Sequence, residues 1–251
     1  MNKKLLVANW KMHHTRISAE NYFANFFAAL PAKLWADRVE LVFAVPYTLL
    51  ATVSTILKDK LGAVAAQNMH WLDKGAYTGE VSLPMLADLG VGKVVLGHSE
   101  RRQYYGESDE SVALKVKAAL QAGFSPIVCI GEILGERQAG KTSEVIAGQL
   151  AAVFAQISTC KQLIIAYEPV WAIGTGLAAT SEQAQEVHQL IRQIVTKKFP
   201  EDGSEVPLIY GGSVTSANIA ELMQQAAIDG ALVGGASLSG DGFAELVNSL
   251  L

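Results

Sequence analysis

The 251-residue chain has few cysteines, no long apolar run and no excess of positive charge. Cys129 and Cys160 are its only cysteines, too few for a disulfide framework, and they suit a reducing compartment. No run approaches the ~18 apolar residues of a membrane helix, and the N-terminal stretch LLVA is too short for a signal-peptide core. A formal net charge of −4 gives no electrostatic case for nucleic acid or an anionic membrane. We therefore expect a cytoplasmic protein with neither partner.

Short apolar runs alternate with segments that have apolar residues at helical spacing. The predicted strands cover residues 4–10, 39–45, 62–68, 93–98, 125–132, 163–169, 207–213 and 229–235. The clearest helical segments are 17–30, 110–122, 143–157 and 181–199. Strands that are apolar on both faces and alternate with helices indicate a parallel sheet. Eight such units in 251 residues without a linker favour a single closed (β/α)8 barrel over residues 1–251, with a doubly wound open sheet as the alternative.

Polar residues and glycines gather where the predicted strands end. Glu168 ends an apolar strand, although an ionised carboxylate is unfavourable in apolar surroundings and therefore needs a reason to be there. The other strand ends carry Asn9, Lys11, His98, the Gly-Gly-Ser segment 211–213, Gly234 and Gly235. In a parallel barrel these ends share one face, the face that carries active sites, so residues remote in sequence would converge there.

Two further motifs suggest nucleotide binding. Residues 135–142, GERQAGKT, match the P-loop pattern, but GEIL separates them from the apolar run, and Glu136 would place negative charge inside a phosphate nest. Residues 174–179, GTGLAA, resemble a dinucleotide fingerprint but do not follow a tight strand turn. No HExxH or Cys/His cluster predicts a metal site. We interpret both motifs as ordinary loop and helix-start sequence.

Taken together, eight motifs resemble the triosephosphate isomerase family, in family order across the whole chain. They are ANWKM (8–12), AAQNMH (65–70), GAYTGEVS (75–82), VLGHSERR (95–102), CIGE (129–132), AYEPVWAIGTG (166–176), YGGSV (210–214) and LVGGASL (232–238). The resemblance implies a single-domain (β/α)8 TIM barrel and a homodimer. It also implies a cofactor-free isomerase of glycolysis and gluconeogenesis that interconverts dihydroxyacetone phosphate and D-glyceraldehyde 3-phosphate through a cis-enediol(ate).

The resemblance assigns catalytic roles to five residues. Glu168 would be the base that moves a proton between C1 and C2, and His98 a neutral ring that donates to the substrate oxygens. Lys11 would supply fixed positive charge, and Asn9 an amide hydrogen bond. Glu100 would pair with Lys11 or orient it.

The resemblance also assigns a phosphate site and a lid. Besides Asn9 and Lys11, backbone N–H groups of Gly174, Ser213, Gly234 and Gly235 would hold the phosphate, because glycine lets the main chain approach an anion. The lid, which would close over the substrate and exclude water, would comprise Pro169, Val170, Trp171, Ala172, Ile173, Gly174, Thr175 and Gly176. No metal takes part.

Residues 68–82 resemble the family's loop that inserts into the partner subunit, with Thr78 and Glu80 at the dimer interface. The sequence departs from the family at His13 and His14, which we expect to be surface residues. Leu177 also departs, at the end of the lid.

Three hypotheses therefore stand: the isomerase, a nucleotide-binding switch at residues 135–142, and a non-catalytic barrel that serves as a binding scaffold. The isomerase hypothesis predicts triose phosphate isomerisation, measured in a coupled assay, that persists with EDTA present and without nucleotide. ATP affinity that is lost in Lys141→Ala would instead favour the switch. Absence of solvent deuterium exchange into dihydroxyacetone phosphate would favour the scaffold.

Overall fold

Eight parallel strands close into a barrel in the computed structural model, which describes residues 3–30, 35–173 and 179–251. The strands are β1 (Lys4–Asn9), β2 (Val39–Val45), β3 (Ala63–Ala66), β4 (Lys93–Leu96), β5 (Ser125–Ile130), β6 (Ile164–Tyr167), β7 (Leu208–Tyr210) and β8 (Gly230–Val233). Each strand pairs with the next, and β8 pairs with β1. The predicted single-domain (β/α)8 TIM barrel is confirmed, and the open-sheet alternative is wrong.

Helices surround this barrel in the described ranges. They are α1 (Arg16–Ala29), α2 (Leu50–Leu57), α3 (Leu83–Asp88), α4 (Ser99–Tyr105), α5 (Asp109–Gln121), α6 (Leu134–Gln138), α7 (Thr142–Phe154), α8 (Ser181–Lys198), α9 (Ile219–Gln224) and α10 (Gly240–Asn248). The P-loop-like motif begins inside α6, so it does not leave β5 as a phosphate loop would. Of the helices described, none is long and apolar enough to cross a bilayer.

The core has two layers because strand side chains alternate between the faces of the sheet. Residues such as Val7, Val42 and Leu232 are buried inside the barrel, and β1 aligns Val7 with both of the others. Their neighbours in sequence, such as Leu6 and Phe43, pack outward beneath the helices. Burial of both faces explains why the strands are nearly continuous apolar runs.

Closure of the barrel requires a glycine on β8. A Cβ at Gly230 would lie only 1.9 Å from the backbone oxygen of Leu5, its partner on β1. Any side chain there would push the first and last strands apart. Gly230 therefore permits the contact that closes the sheet.

His188 on α8 is completely buried against the barrel. Its ring lies 5.7 Å from Tyr167 and 6.3 Å from Tyr210, and its Nδ1 is 2.7 Å from the Ala184 carbonyl. Burial lowers the pKa of His188 to about 4, despite the opposing hydrogen bond to Ala184. The ring is therefore neutral in the folded protein across the physiological range.

The buried ring predicts acid destabilisation. Because the pKa of His188 is about 4 in the folded chain and about 6.5 in the unfolded chain, the unfolded chain takes up the proton first. This contribution to stability is complete above pH 6.5 and falls as the pH is lowered from 6.5 towards 4. We expect it to lower the free energy of unfolding by about 2 kcal/mol between pH 7 and pH 5.

Urea unfolding at one protein concentration, at pH 7 and pH 5, tests this expectation. His188→Gln, which cannot titrate, should lose about 2 kcal/mol less than the parent between these pH values. His13→Gln, which changes an exposed histidine, should lose as much as the parent. An equal loss in the parent and in His188→Gln would contradict the prediction.

Candidate active site

A cavity of about 430 Å³ opens at the carboxyl ends of the strands. Its lining consists of Asn9, Lys11, His13, His98, Glu168, Ile173, residues 211–215, Leu232, residues 234–236 and Leu238. Of the positions predicted from strand ends, the cavity thus brings together Asn9, Lys11, His98, Glu168, Ser213, Gly234 and Gly235. These side chains and glycines come from strands β1, β4, β6, β7 and β8, which only barrel closure places side by side.

A larger cavity, about 760 Å³, lies at the opposite end of the barrel, where Lys4, Ser125 and Ile164 begin their strands. We place the site at the smaller cavity because the carboxyl ends of barrel strands carry catalytic groups and because buried titratable side chains meet there. Elsewhere as well, the described residues contain no group of three His, Cys, Asp or Glu side chains that could hold a metal ion.

Glu168 directly follows β6 and is 2% exposed. The backbone N–H of Ser99 donates to Oε2 of its carboxylate at 2.9 Å in place of water, and His98 Nε2 lies 3.1 Å from Oε1. A buried carboxylate is tolerated when its oxygens accept such bonds. Ser99 and His98 both come from the segment after β4, so the site joins strands that are two positions apart in the barrel.

Glycines allow the neighbouring strand ends to pack closely around Glu168. A Cβ at Gly131, after β5, would lie 1.7 Å from the backbone oxygen of Glu168, and one at Gly211, after β7, would lie 2.9 Å from its Cγ. The backbone N–H of Glu168 also donates to Ile130 at 2.7 Å. Glu168 is therefore held on both sides by neighbouring strand ends, within a space that admits no side chain.

Behind the carboxylate lies Cys129, which is fully buried in the barrel interior. Burial, and secondarily the charge of Glu168, raises the pKa of the Cys129 thiol well above its usual range. The thiol therefore stays protonated and packs as a small apolar group.

His98 precedes α4 and caps it, because its Nδ1 accepts the backbone N–H of Glu100 at 3.3 Å. A ring nitrogen that accepts an N–H carries no proton, so this geometry assigns the ring hydrogen to Nε2. Nε2 is the nitrogen that faces Glu168 and the cavity. The ring can thus donate one hydrogen bond into the cavity.

Lys11 follows β1 and reaches across the cavity mouth. Its ammonium lies 2.7 Å from Glu100 Oε1, and both side chains are partly exposed. Its backbone N–H donates to Asn9 Oδ1 at 3.0 Å, and its φ of +51° is unusual for a residue with a side chain. The lysine also approaches Gly234, where an added Cβ would lie 3.3 Å from Lys11 Cε. A cation therefore stands beside the glycine turn that follows β8.

That turn is a short 3-10 helix, Gly235–Ser237, whose Ser237 hydroxyl donates to Val233 and Gly234 carbonyls at 2.8 Å. On the facing strand end, the Ser213 hydroxyl donates to the Ala172 carbonyl at 2.9 Å. These segments place backbone amides and a cation around the same end of the cavity. The other predicted phosphate residue, Gly174, lies outside the described residues, as do Thr175, Gly176 and Leu177.

The described part of the predicted lid, Pro169–Ile173, begins with a 3-10 turn over Val170–Ala172. The indole N–H of Trp171 donates to Glu132 Oε1 at 3.0 Å, and the Arg137 guanidinium lies 4.7 Å from the Trp171 ring centre. The start of this segment is therefore tied to the loop after β5. Ile173 lines the cavity.

Glu132, the glutamate of the CIGE motif, was not predicted as a site residue. It is completely buried and accepts hydrogen bonds from the Tyr167 hydroxyl at 3.1 and 3.2 Å, from Trp171 and from Arg137. Its signal in the sequence was a glutamate directly after an apolar strand, the same signal that singled out Glu168.

Loop residues 68–82 project from the barrel, and Thr78 and Glu80 are exposed and do not line the cavity. His13 is exposed at the cavity rim, as a surface residue would be. The same expectation is wrong for His14, which is half-buried with its ring 4.4 Å from that of Trp10. The physical reason is a φ of +73°, which directs this side chain onto the aromatic cluster under α1.

Comparisons with known proteins agree with this geometry. The family described as Triosephosphate isomerase matches residues 4–250. Triosephosphate isomerase of Acetivibrio thermocellus is 47% identical over 250 residues, which cover 98% of each chain. Those of Synechococcus sp. strain JA-3-3Ab and Moorella thermoacetica are each 46% identical, over 99% of this chain and 95% and 99% of their own. This chain therefore belongs to the triosephosphate isomerase family.

Proposed function

We propose that this chain interconverts dihydroxyacetone phosphate and D-glyceraldehyde 3-phosphate, the step that links the two triose phosphates in glycolysis and gluconeogenesis. The observation that carries the proposal is the contact between a buried carboxylate and an imidazole in one cavity, Glu168 Oε1 with His98 Nε2 at 3.1 Å. Lys11 lines the same cavity and supplies a cation for an anionic substrate. A base, a hydrogen-bond donor and a cation are what aldose–ketose isomerisation needs.

In the proposed mechanism, Glu168 and His98 each take part in one proton exchange with the substrate and end in their starting protonation states. Glu168 takes a proton from C1 of dihydroxyacetone phosphate, the electron pair of that C–H bond forms a C1–C2 double bond, and the π pair of the C2–O2 carbonyl moves onto O2 to give an enediolate. Glu168 then delivers its proton to C2. His98 transfers its Nε2 proton to O2. The ring recovers a proton from the O1 hydroxyl, which leaves the aldehyde at C1. The overall reaction is isomerisation.

Charge develops on the substrate oxygens during this reaction and must be stabilised. His98 would donate from Nε2, and Lys11 and Asn9, which line the same cavity, would contribute the ammonium and the side-chain amide. In the free enzyme, His98 and Ser99 contact the carboxylate of Glu168. Substrate binding would exchange these contacts, because the His98 donor turns to the substrate oxygen and the carboxylate turns to the carbon.

The phosphate would bind at the opposite end of the cavity, at the backbone amides of Ser213, Gly234 and Gly235 and the cation of Lys11. We include Gly174 and the lid from Pro169 to Gly176 in this proposal by resemblance to the family. Closure of the lid would exclude water, which strengthens each hydrogen bond to the enediolate and prevents loss of phosphate from it.

We also propose that the chain acts as a homodimer, through the loops after β1 to β4. These strands are consecutive in the barrel, and the loops and helix α4 that follow them carry exposed large apolar side chains. They are Met12, Tyr47, Leu72, Tyr77, Tyr104 and Tyr105. Tyr104 and Tyr105 are 68% and 69% exposed, which is costly for two adjacent aromatic rings in water. A second copy of the chain would cover this surface.

Contacts within the loop of residues 68–82 support a preformed interface. The His70 ring stacks on Trp71 and meets Tyr77 at a tilt, with both ring centres at 4.3 Å, and its backbone N–H donates to the Val81 carbonyl at 2.8 Å. The loop is therefore ordered at its base while Thr78 at its tip stays exposed. A preordered loop loses little entropy when it inserts into a partner.

A cytoplasmic location fits the same proposal. Cys129 and Cys160 are both free and buried, so neither requires an oxidising compartment. The triose phosphates of glycolysis would be met there.

Substitution of the proposed base tests the mechanism. Glu168→Gln keeps the side-chain shape but cannot accept a proton, so we expect kcat to fall about 10²- to 10⁴-fold with KM nearly unchanged. Glu182→Gln, an exposed glutamate on α8, serves as the control and should retain parental kinetics. Exchange of solvent deuterium into dihydroxyacetone phosphate should stop in Glu168→Gln alone. Full turnover in that variant would exclude Glu168 as the base.

Sedimentation tests the dimer. We expect a species of twice the 26.8 kDa chain mass at micromolar concentration. Thr78→Arg, which puts a charged side chain at the tip of the inserting loop, should shift the chain towards monomer. Gln121→Arg adds the same charge at an exposed position on α5 and should leave the dimer intact. A parent that sediments as a monomer, or a tetramer, would refute the proposal.

A further inference from the structure

The backbone of Lys11 adopts a conformation that its own side chain does not favour. With φ at +51°, it occupies the left-handed region, which costs a residue with a Cβ about 1 to 2 kcal/mol. Such a conformation persists only where surrounding contacts enforce it. The contacts that hold this segment therefore determine where the ammonium points.

The side-chain amide of Gln67 supplies one of these contacts. Gln67 follows β3 directly, and its Nε2 donates to the Lys11 carbonyl at 2.9 Å and to the Ala44 carbonyl on β2 at 3.0 Å. Its Nε2 also lies 3.4 Å from Asn9 Oδ1. Three oxygen acceptors around one nitrogen assign the orientation of the amide, because its oxygen could not face them.

The Asn9 amide completes the arrangement. Its Oδ1 accepts the backbone N–H of Lys11 at 3.0 Å, while Gln67 binds the Lys11 carbonyl. The N–H and C=O groups of the strained residue are thus each held by a side-chain amide, and these two amides contact each other. Ala44, the other acceptor of Gln67, also accepts the N–H of Trp10, so β2 and β3 anchor the segment that follows β1.

We propose that Gln67 is a positioning residue for the isomerisation: its amide holds the backbone of Lys11 in the conformation that places the ammonium beside Gly234 and Glu100. Gln67 does not line the substrate cavity, so it acts through Lys11. This inference rests on the proposed function of Lys11 in binding the anionic substrate. Loss of the amide releases the segment after β1, and an ammonium displaced by about 1 Å loses much of its effect.

Gln67→Met tests the inference, since methionine keeps the length of the side chain and cannot donate. We expect kcat/KM to fall about 10- to 100-fold, with the greater part of the change in KM. Inhibition by inorganic phosphate, which probes the anion site without reaction, should weaken in parallel. Gln185→Met is the matched control, because Gln185 is also half-buried and bonds a backbone group, the Ala227 N–H at 3.0 Å, but lies away from the cavity.

A double-mutant cycle separates positioning from a general structural effect. In a Lys11→Met background, Gln67→Met should lower kcat/KM by less than twofold, because the group that it positions is already gone. Equal losses in the two backgrounds would overturn the proposal, as would parental KM in Gln67→Met itself. If Gln67→Met does not fold, Gln67→Asn, whose amide is one methylene too short to reach Lys11, replaces it in the cycle.

The outcomes also distinguish this inference from the proposed function. If the parent isomerises triose phosphates and Lys11→Met raises KM, the proposed function of Lys11 stands, and only the Gln67 comparison decides the inference. If Lys11→Met leaves KM unchanged, the premise about Lys11 fails first, whatever Gln67→Met does.

Discussion

The structure depends on keeping one carboxylate, that of Glu168, buried at the end of an apolar strand. At 2% exposure it has lost its water, and a charge in that position is unfavourable unless N–H groups replace the lost hydration. Ser99 provides such a group from the segment after β4, where His98 Nε2 also lies 3.1 Å from the carboxylate, while the carboxylate itself follows β6. Only β5 lies between these strands, so the register of three consecutive strands sets the distance between Glu168 and the segment that contacts it. The barrel thus positions the chemistry by its strand pairing.

Any anion must be bound by local groups in this chain, because the formal net charge of the whole molecule is −4. Lys11 is paired with Glu100 at 2.7 Å, so its charge is already partly neutralised before substrate arrives. The pair is partly exposed, which makes it weak, and an incoming phosphate can compete for the ammonium. In the proposed phosphate site, backbone amides near Gly234 would add a second attraction that carries no net charge and therefore needs no counter-ion. The combination allows binding and release of an anion within a negative protein.

The sequence predicted strands and their ends well, and long-range side-chain contacts poorly. The run Val39–Val45 was located to the residue because a charged Arg38 and a Pro46 bound it. The predicted strand 207–213 is observed only as Leu208–Tyr210, since its glycines turn away towards the cavity. Gln67 was assigned to the strand 62–68, but no local pattern could show that its amide bonds Lys11, 56 residues earlier. Likewise, no local pattern shows that the ring of His14 packs against the ring of Trp10.

Three carboxylates in this part of the protein are buried, and each accepts hydrogen bonds from protein groups in place of water. Glu168 accepts from the loop after β4, Glu132 accepts from Tyr167 and Trp171 around β6, and Glu107 accepts the Gly97 N–H at 3.1 Å while pairing with the buried Lys115. Apolar packing in the barrel interior is non-directional, so it can close the sheet without fixing an angle or a distance to a few tenths of an ångström. Hydrogen bonds to buried charges are directional and strong. The core therefore specifies the fold, and hydrogen bonds to these buried carboxylates specify the geometry of the segments around them.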